Sequence, residues 1–295
     1  MLTYIFLVIR IFLIDALNVE HFLDTLHYSI LILSVVSIAA AGYIINDIHD
    51  LEIDKINKNR EVIIENGISE DFAFNLYFAL NIIGIASGFY LAYKIEHVNF
   101  AFIHIASSLL LYQYAVKIKH KLIISNLLVS FLSGLSLVLI ILFDLLPAIN
   151  EDSIEIIKPV TLIILVYAAF AFVVSFIREI IKDIEDFKGD KEYGTNSIAV
   201  RYGIRTAKNI SATLSFIAGA AILFYSVRFL ADQIISLSYV IALVILPLLY
   251  TAYLLIVSKK ESDVTLSTKL IKFIMLSGIS SIAIFTLSLK FSNVL

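Results

Sequence analysis

Uncharged, apolar stretches of membrane-spanning length dominate the chain. Eight such runs stand out: Tyr28–Ile45, Phe72–Tyr93, Val98–Val116, Leu122–Phe143, Pro159–Ile177, Ile210–Val227, Ile234–Ser258 and Phe273–Leu289. Each is long enough, at about 20 residues per crossing, to serve as a transmembrane helix. A ninth run, Met1–Leu17, is interrupted by Arg10 and Asp15, a pattern that suits a helix facing protein rather than lipid. None of the runs alternates apolar with polar positions, and all far exceed the length of a barrel strand. The pattern predicts an all-α polytopic membrane protein, a bundle of about nine transmembrane helices forming a single domain over residues 1–295.

Composition sharpens this picture. Of 295 residues, 60% are hydrophobic and only 16% charged, and the mean hydropathy is +0.95. A separate soluble domain has no room beside the spans. Cysteine is absent, which excludes disulfides and thiolate metal sites. The N-terminus carries neither a basic region nor a small-residue cleavage site, so no cleaved leader is expected.

The net charge of −3 says little, but the placement of charge says more. With the spans numbered one to nine, 17 of the 22 basic residues fall in or beside loops 2–3, 4–5, 6–7 and 8–9. Arg10, Lys94, Lys158, Arg228 and Lys290 are the others. By the positive-inside rule the basic side is cytoplasmic, which puts the N-terminus inside. The expected location is the cell (inner) membrane.

Two acidic clusters carry the chemistry. After span 2 the chain reads Asn46-Asp47-Ile48-His49-Asp50-Leu51-Glu52-Ile53-Asp54, with three aspartates at i, i+3 and i+7. Continued as helix, this spacing puts Asp47, Asp50 and Asp54 along one face, with Asn46 beside Asp50. Like charges stacked this way repel unless a cation neutralises them. After span 6, Asp183, Asp186 and Asp190 repeat the spacing. Both copies leave the membrane on the same predicted face, so they can converge. Oxygen donors without cysteine suit a hard cation such as Mg²⁺, which combines a few carboxylates with substrate phosphates and water. Two such clusters face to face would hold a diphosphate through bridging Mg²⁺. Lys55, Lys58, Arg60, Lys117, Lys119, Lys121, Arg178 and Lys182 flank them. Solvated helix ends are the bland alternative for either cluster alone, and the duplicated spacing at equivalent places weighs against it. His49 lies off the aspartate face and reads as a surface residue.

Asn46-Asp47-x-x-Asp50-x-x-x-Asp54 after the second span and Asp186-x-x-x-Asp190 after the sixth resemble the two aspartate-rich motifs of the UbiA-type intramembrane prenyltransferase superfamily. Arg10, the Tyr112–Tyr114 segment with Lys117 and Asn126, and the Gly194-Thr195 to Gly203 stretch are softer matches. The stretch after the first motif lacks the proline that many members have there. The resemblance implies a Mg²⁺-dependent enzyme that moves a prenyl group from an isoprenoid diphosphate donor to a lipophilic acceptor within the bilayer, with no nucleic-acid partner. It further implies that Asp50, Asp54, Asp186 and Asp190 are catalytic, with Asn46, Asp47 and Asp183 joining them as metal ligands. Arg10, Asn46, Lys117 or Lys119, Arg178 and Lys182 are the implied diphosphate contacts. The run Arg178-Glu179-x-x-Lys182-Asp183-x-x-Asp186-x-x-Gly189-Asp190 looks most like the geranylgeranylglycerol-phosphate geranylgeranyltransferase-like branch, with an aromatic acceptor of quinone biosynthesis as the second choice. An ion-coupled transporter would explain the spans, but transporter sites tend to lie near the midplane on interrupted helices.

Overall fold

The computed structural model describes residues 1–56, 64, 67–257 and 260–292, with the side chains of 54, 56, 291 and 292 left aside. Helices account for almost all of it, joined by short turns and one isolated bridge between Ile64 and Ile68. In chain order they are α1 (Leu2–Val8), α2 (Thr25–Ile56), α3 (Glu70–Lys94), α4 (Ala101–Val116), α5 (Ile124–Ile140), α6 (Ile154–Glu185), α7 (Phe187–Glu192), α8 (Ile198–Tyr202), α9 (Ile204–Leu230), α10 (Ile234–Val240), α11 (Leu246–Val257) and α12 (Glu261–Ser292). A π turn and a 3-10 turn extend α1 through Leu17 and α5 through Ala148; another π turn, Ile241–Ile245, joins α10 to α11.

Among the described residues seven helices are long and apolar enough to cross a membrane. The two remaining expected spans, the first and the fourth, are helices too, but α4 has only 16 residues and α1 with its extension is equally short. The result is an all-α polytopic membrane bundle. Its outward faces carry Phe78, Ile82, Phe102, Phe216, Phe224 and Ile234, more than half exposed, as lipid contact requires.

Three helices overrun their apolar stretches at one end. α2 continues 11 residues past Ile45, α6 continues to Glu185, and α12 begins 12 residues before Phe273. The polar extensions keep their backbone bonds intrahelical and so need no other partner outside the apolar layer. α6 packs against α5, α9 and α12 and links two cores: its first half contributes to one that also holds residues of α1, α2 and α5, and its second half to another that holds residues of α9, α11 and α12. A third, smaller core joins α2, α3 and α4 next to the first acidic cluster. Helix direction places the ends of α2, α4 and α6 and the start of α5, α9 and α12 at one end of the bundle, hereafter the motif end. Lys94, Lys158, Arg228 and Lys290 all lie toward the other end, which matches the charge partition.

Close helix approach relies on glycine at a few points. Gly88 of α3 faces the ring of buried His104 on α4, and a Cβ there would stand 2.5 Å from a ring carbon. Gly84 lets α3 approach Ser34 of α2, whose hydroxyl donates to the Gly84 carbonyl at 2.7 Å.

Candidate active site

The C-terminal ends of α2 and α6 converge on one cavity of about 50 Å³. Asp50 and Ile53 come from α2, and Glu179, Lys182 and Asp183 from α6. Asp186 and Asp190 come from the break after α6 and from α7. Tyr114, Lys119, Ser125, Asn126 and Thr195 close the remaining sides. The two acidic clusters therefore meet, although Asp50 and Asp183 are 133 residues apart in sequence.

Local geometry explains how each side chain arrives there. α6 stops at Asp186, whose backbone (φ −85°, ψ 5°) leaves the α-helical range, and α7 restarts at Phe187. That break re-aims the second cluster, so Asp190 is presented from a new axis. At the end of α4 the chain turns at Lys117 and makes one 3-10 turn through Ile118–His120. The turn sends Lys119 inward and leaves Lys117 exposed. Ile123 then adopts φ +63°, a left-handed conformation costly for a β-branched residue, immediately before Ser125 and Asn126.

The polar contacts are dense. Lys119 Nζ bonds Asp50 Oδ1 at 2.6 Å, and Asn46 Nδ2 donates to Asp50 Oδ2 at 2.6 Å. Asn126 Nδ2 donates to Asp183 Oδ2 at 3.0 Å, and Ser125 Oγ donates to Asn126 Oδ1 at 3.0 Å. His120 Nδ1 and Thr195 Oγ1 are 3.1 Å apart, tying the α4–α5 turn to the segment after α7. Burial, with the Asp186 carboxylate close by, pushes the Asp190 carboxyl up to about 7. Burial and neighbouring Lys119 lower His120 below its ordinary value.

Five carboxylates and two lysines thus surround one small polar cavity. Glu179, only 5% exposed and paired with Arg178, is the member that motif spacing did not single out. Its i, i+4 relation to Asp183 was the available signal. Tyr114, Ser125 and Thr195 are further lining residues outside the proposed ligand set.

Other expected site residues lie elsewhere. Asp47 is on the exposed side of α2 and is not part of the lining. Arg178 reaches Glu179 rather than the cavity. The side chain of Asp54, like Lys58 and Arg60, is outside the described residues. Exposed His49 donates from Nδ1 to the Ile45 carbonyl of its own helix at 2.9 Å.

Arg10 is at the far end of the bundle. Its guanidinium bonds Asp144 Oδ2 at 3.0 Å, Asp15 Oδ1 at 2.9 Å and the Leu23 carbonyl at 3.1 Å, and it sits 5.1 Å from the centre of the Tyr28 ring. Asp144 lies 18 residues along α5 and its extension from Asn126, about 27 Å at 1.5 Å per residue. A side chain held there is a structural clamp between α1, α2 and α5, not a contact for anything bound at the motif end.

The donor set fits a hard divalent cation in one particular way. Among the described residues no three acidic or histidine side chains are close enough to hold an ion by themselves. Mg²⁺ normally uses one or two carboxylates and completes its octahedron with phosphate oxygens and water. The cavity offers carboxylates on two walls for an ion that arrives with a phosphorylated ligand.

A lysine-bearing acidic cavity at one end of a lipid-facing helical bundle suits the binding of a phosphorylated ligand at a membrane. Residues 7–276 match the UbiA prenyltransferase family. The chain belongs to that family and is a prenyltransferase, acting within the membrane on a prenyl diphosphate donor and a lipophilic acceptor. It is 33% identical over 241 residues to the digeranylgeranylglyceryl phosphate synthase of Korarchaeum cryptofilum (strain OPF8), covering 81% of this chain and 78% of that one. With the digeranylgeranylglyceryl phosphate synthase of Methanobrevibacter smithii it shares 31% identity over 264 residues, 88% of this chain and 87% of the relative. A solved structure described as giving insights into digeranylgeranylglyceryl phosphate synthase in membranes superposes with a TM-score of 0.60 at 25% identity, covering 96% of this chain and 94% of that one. The apo structure of a UbiA homolog from Aeropyrum pernix K1 shares the fold, with a TM-score of 0.64 at 16% identity over 94% of this chain and 95% of that one.

Proposed function

We propose that this prenyltransferase alkylates the free hydroxyl of a geranylgeranylglyceryl-phosphate-type lipid with a prenyl group from an isoprenoid diphosphate, using Mg²⁺. The observation that carries the reading is the meeting of Asp50 with Asp183, Asp186 and Asp190 around one cavity that also holds Lys119 and Lys182. The names of the relatives support the choice of acceptor.

In the reaction the allylic C–O bond breaks and its electron pair leaves with the diphosphate. A lone pair of the acceptor hydroxyl oxygen forms the new C–O bond, and the hydroxyl proton passes to the released diphosphate or to water. Mg²⁺, when bound, would neutralise charge on the departing diphosphate. Asp50, Asp183, Asp186 and Asp190, with Asn46 and Asn126 orienting two of them, are its proposed holders; Asp54 belongs to the same proposed set by its motif. Lys119 and Lys182 supply the cationic contacts that strengthen as charge develops on the leaving group. The surrounding apolar helices keep water from the cationic prenyl carbon. The motif end carries the basic loops, so the proposed orientation places the cavity at the cytoplasmic face of the cell membrane.

Purified protein supplied with geranylgeranyl diphosphate and Mg²⁺ should release diphosphate when geranylgeranylglyceryl phosphate is the acceptor. Hydroxybenzoate and dihydroxynaphthoate should not support turnover. The reverse preference would transfer the protein to quinone-type aromatic prenylation.

A further inference from the structure

Asp50 has both carboxylate oxygens engaged within the protein. Lys119 Nζ takes Oδ1 and the Asn46 amide takes Oδ2, each at 2.6 Å. The lysine and the aspartate side chains are only 11% and 14% exposed, so the pair is shielded from solvent screening. Both side chains line the small cavity of about 50 Å³ that the second acidic cluster also borders. Lys119 also differs from Lys182 in what holds it. Lys119 hangs from a single 3-10 turn between α4 and α5, whereas Lys182 is fixed on the continuous helix α6.

We propose that Lys119 is a stand-in cation, which occupies an Asp50 carboxylate oxygen and must leave it before a divalent ion can take that oxygen. This deepens the diphosphate reading and rests on it. A bare ion that displaces the lysine leaves its ammonium group competing with the ion for the remaining carboxylates of the cavity, Asp183, Asp186 and Asp190. An ion that arrives with a diphosphate supplies phosphate oxygens to which the displaced lysine can move, on a flexible four-carbon stem. Ion and diphosphate therefore bind together, and the Lys119–Asp50 pair discriminates against free metal. The same movement carries Lys119 from a blocking position to one in contact with the leaving group, and it enlarges the cavity.

The test is Mn²⁺ retained by the full chain in detergent, counted as protein-bound ion after equilibrium dialysis against the same buffer so that ion held by pyrophosphate in solution is subtracted, and independent of turnover. Wild type should bind Mn²⁺ weakly alone and on the order of tenfold more tightly with inorganic pyrophosphate present. Lys119→Met should bind Mn²⁺ alone on the order of tenfold more tightly than wild type. Lys182→Met removes the same charge from the cavity without freeing Asp50, and should gain less. Equal gains in the two variants would reduce the effect to general electrostatics and overturn the proposal, as would wild type binding Mn²⁺ equally well with and without pyrophosphate. The wild-type comparison stands even where a variant fails to fold. Pyrophosphate-linked Mn²⁺ binding without release of diphosphate from any allylic donor would count against the prenyl-transfer chemistry while leaving the lysine assignment intact.

Discussion

Individual charged residues divide sharply between the two ends of this bundle. Asp50 and Asp186 face the cavity from opposite halves of the chain, and their replacement by alanine should lower turnover by on the order of 10²–10³-fold or more. Folding should survive both changes, since Lys119, freed by the loss of Asp50, keeps the other carboxylates of the cavity as partners; loss of membrane insertion, or near-wild-type rates with saturating Mg²⁺, would contradict the assignment. Arg10 should behave in the opposite way. Arg10→Met strands a fully buried Asp144, a loss of about 3–5 kcal/mol for one partner of a buried pair. Reduced resistance to unfolding with an unchanged KM for the donor would identify it as a clamp, whereas a raised KM in a stable protein would return it to the diphosphate site. His120 provides a pH signature. Its folded pKa is depressed below 6.5, so the stability it contributes is fully present above that value and is lost as pH falls through the lower folded value. Melting temperature should decline on the acid side of about 6.5, and His120→Gln should flatten part of that decline.

At the level of elements, the apolar runs located the helices well but not their ends. Hydrophobicity marks where a helix meets lipid, and α2, α6 and α12 continue in polar sequence that hydropathy does not register. The aspartate periodicity revealed the continuation of α2. It did not reveal the break at Asp186, because Asp183, Asp186 and Asp190 keep helical spacing while the backbone changes axis. Glu179 was hidden by its neighbour: an Arg-Glu pair at the end of a span resembles an ordinary interfacial ion pair. The buried partner of Arg10, Asp144, was hidden by its distance of 134 residues, unlike nearby Asp15, though a lone charge of opposite sign at the edge of another apolar run was a usable hint. Both residues sit in π turns, Ile9–Ile14 and Ile141–Leu145, which interrupt α-helical spacing where the clamp forms. The α3–α4 contact yields a direct check on packing. Gly88→Ala pushes a methyl group into the His104 ring, which is walled in by Phe143, and should destabilise by about 1–3 kcal/mol in an unfolding titration. A neutral result would mean that the two helices separate more easily than their packing suggests.

Across the whole molecule, the fold serves to bring two distant motifs to one membrane face while keeping the rest of the chain in lipid. α6 makes this possible by joining two apolar cores along a single 32-residue helix that ends in the acidic cavity. The asymmetric distribution of basic residues follows from the same arrangement. The central claim is that the halves form one metal-diphosphate site, and a double-mutant cycle tests it most directly. Mg²⁺-dependent binding of a non-reactive thiolodiphosphate donor analogue should be measured for wild type, Asp50→Asn, Asp186→Asn and the double variant. Residues that hold the same ion-bridged ligand act as a unit, so either single change should cost nearly as much affinity as both together. Losses that simply add would mean two independent sites and would contradict the account.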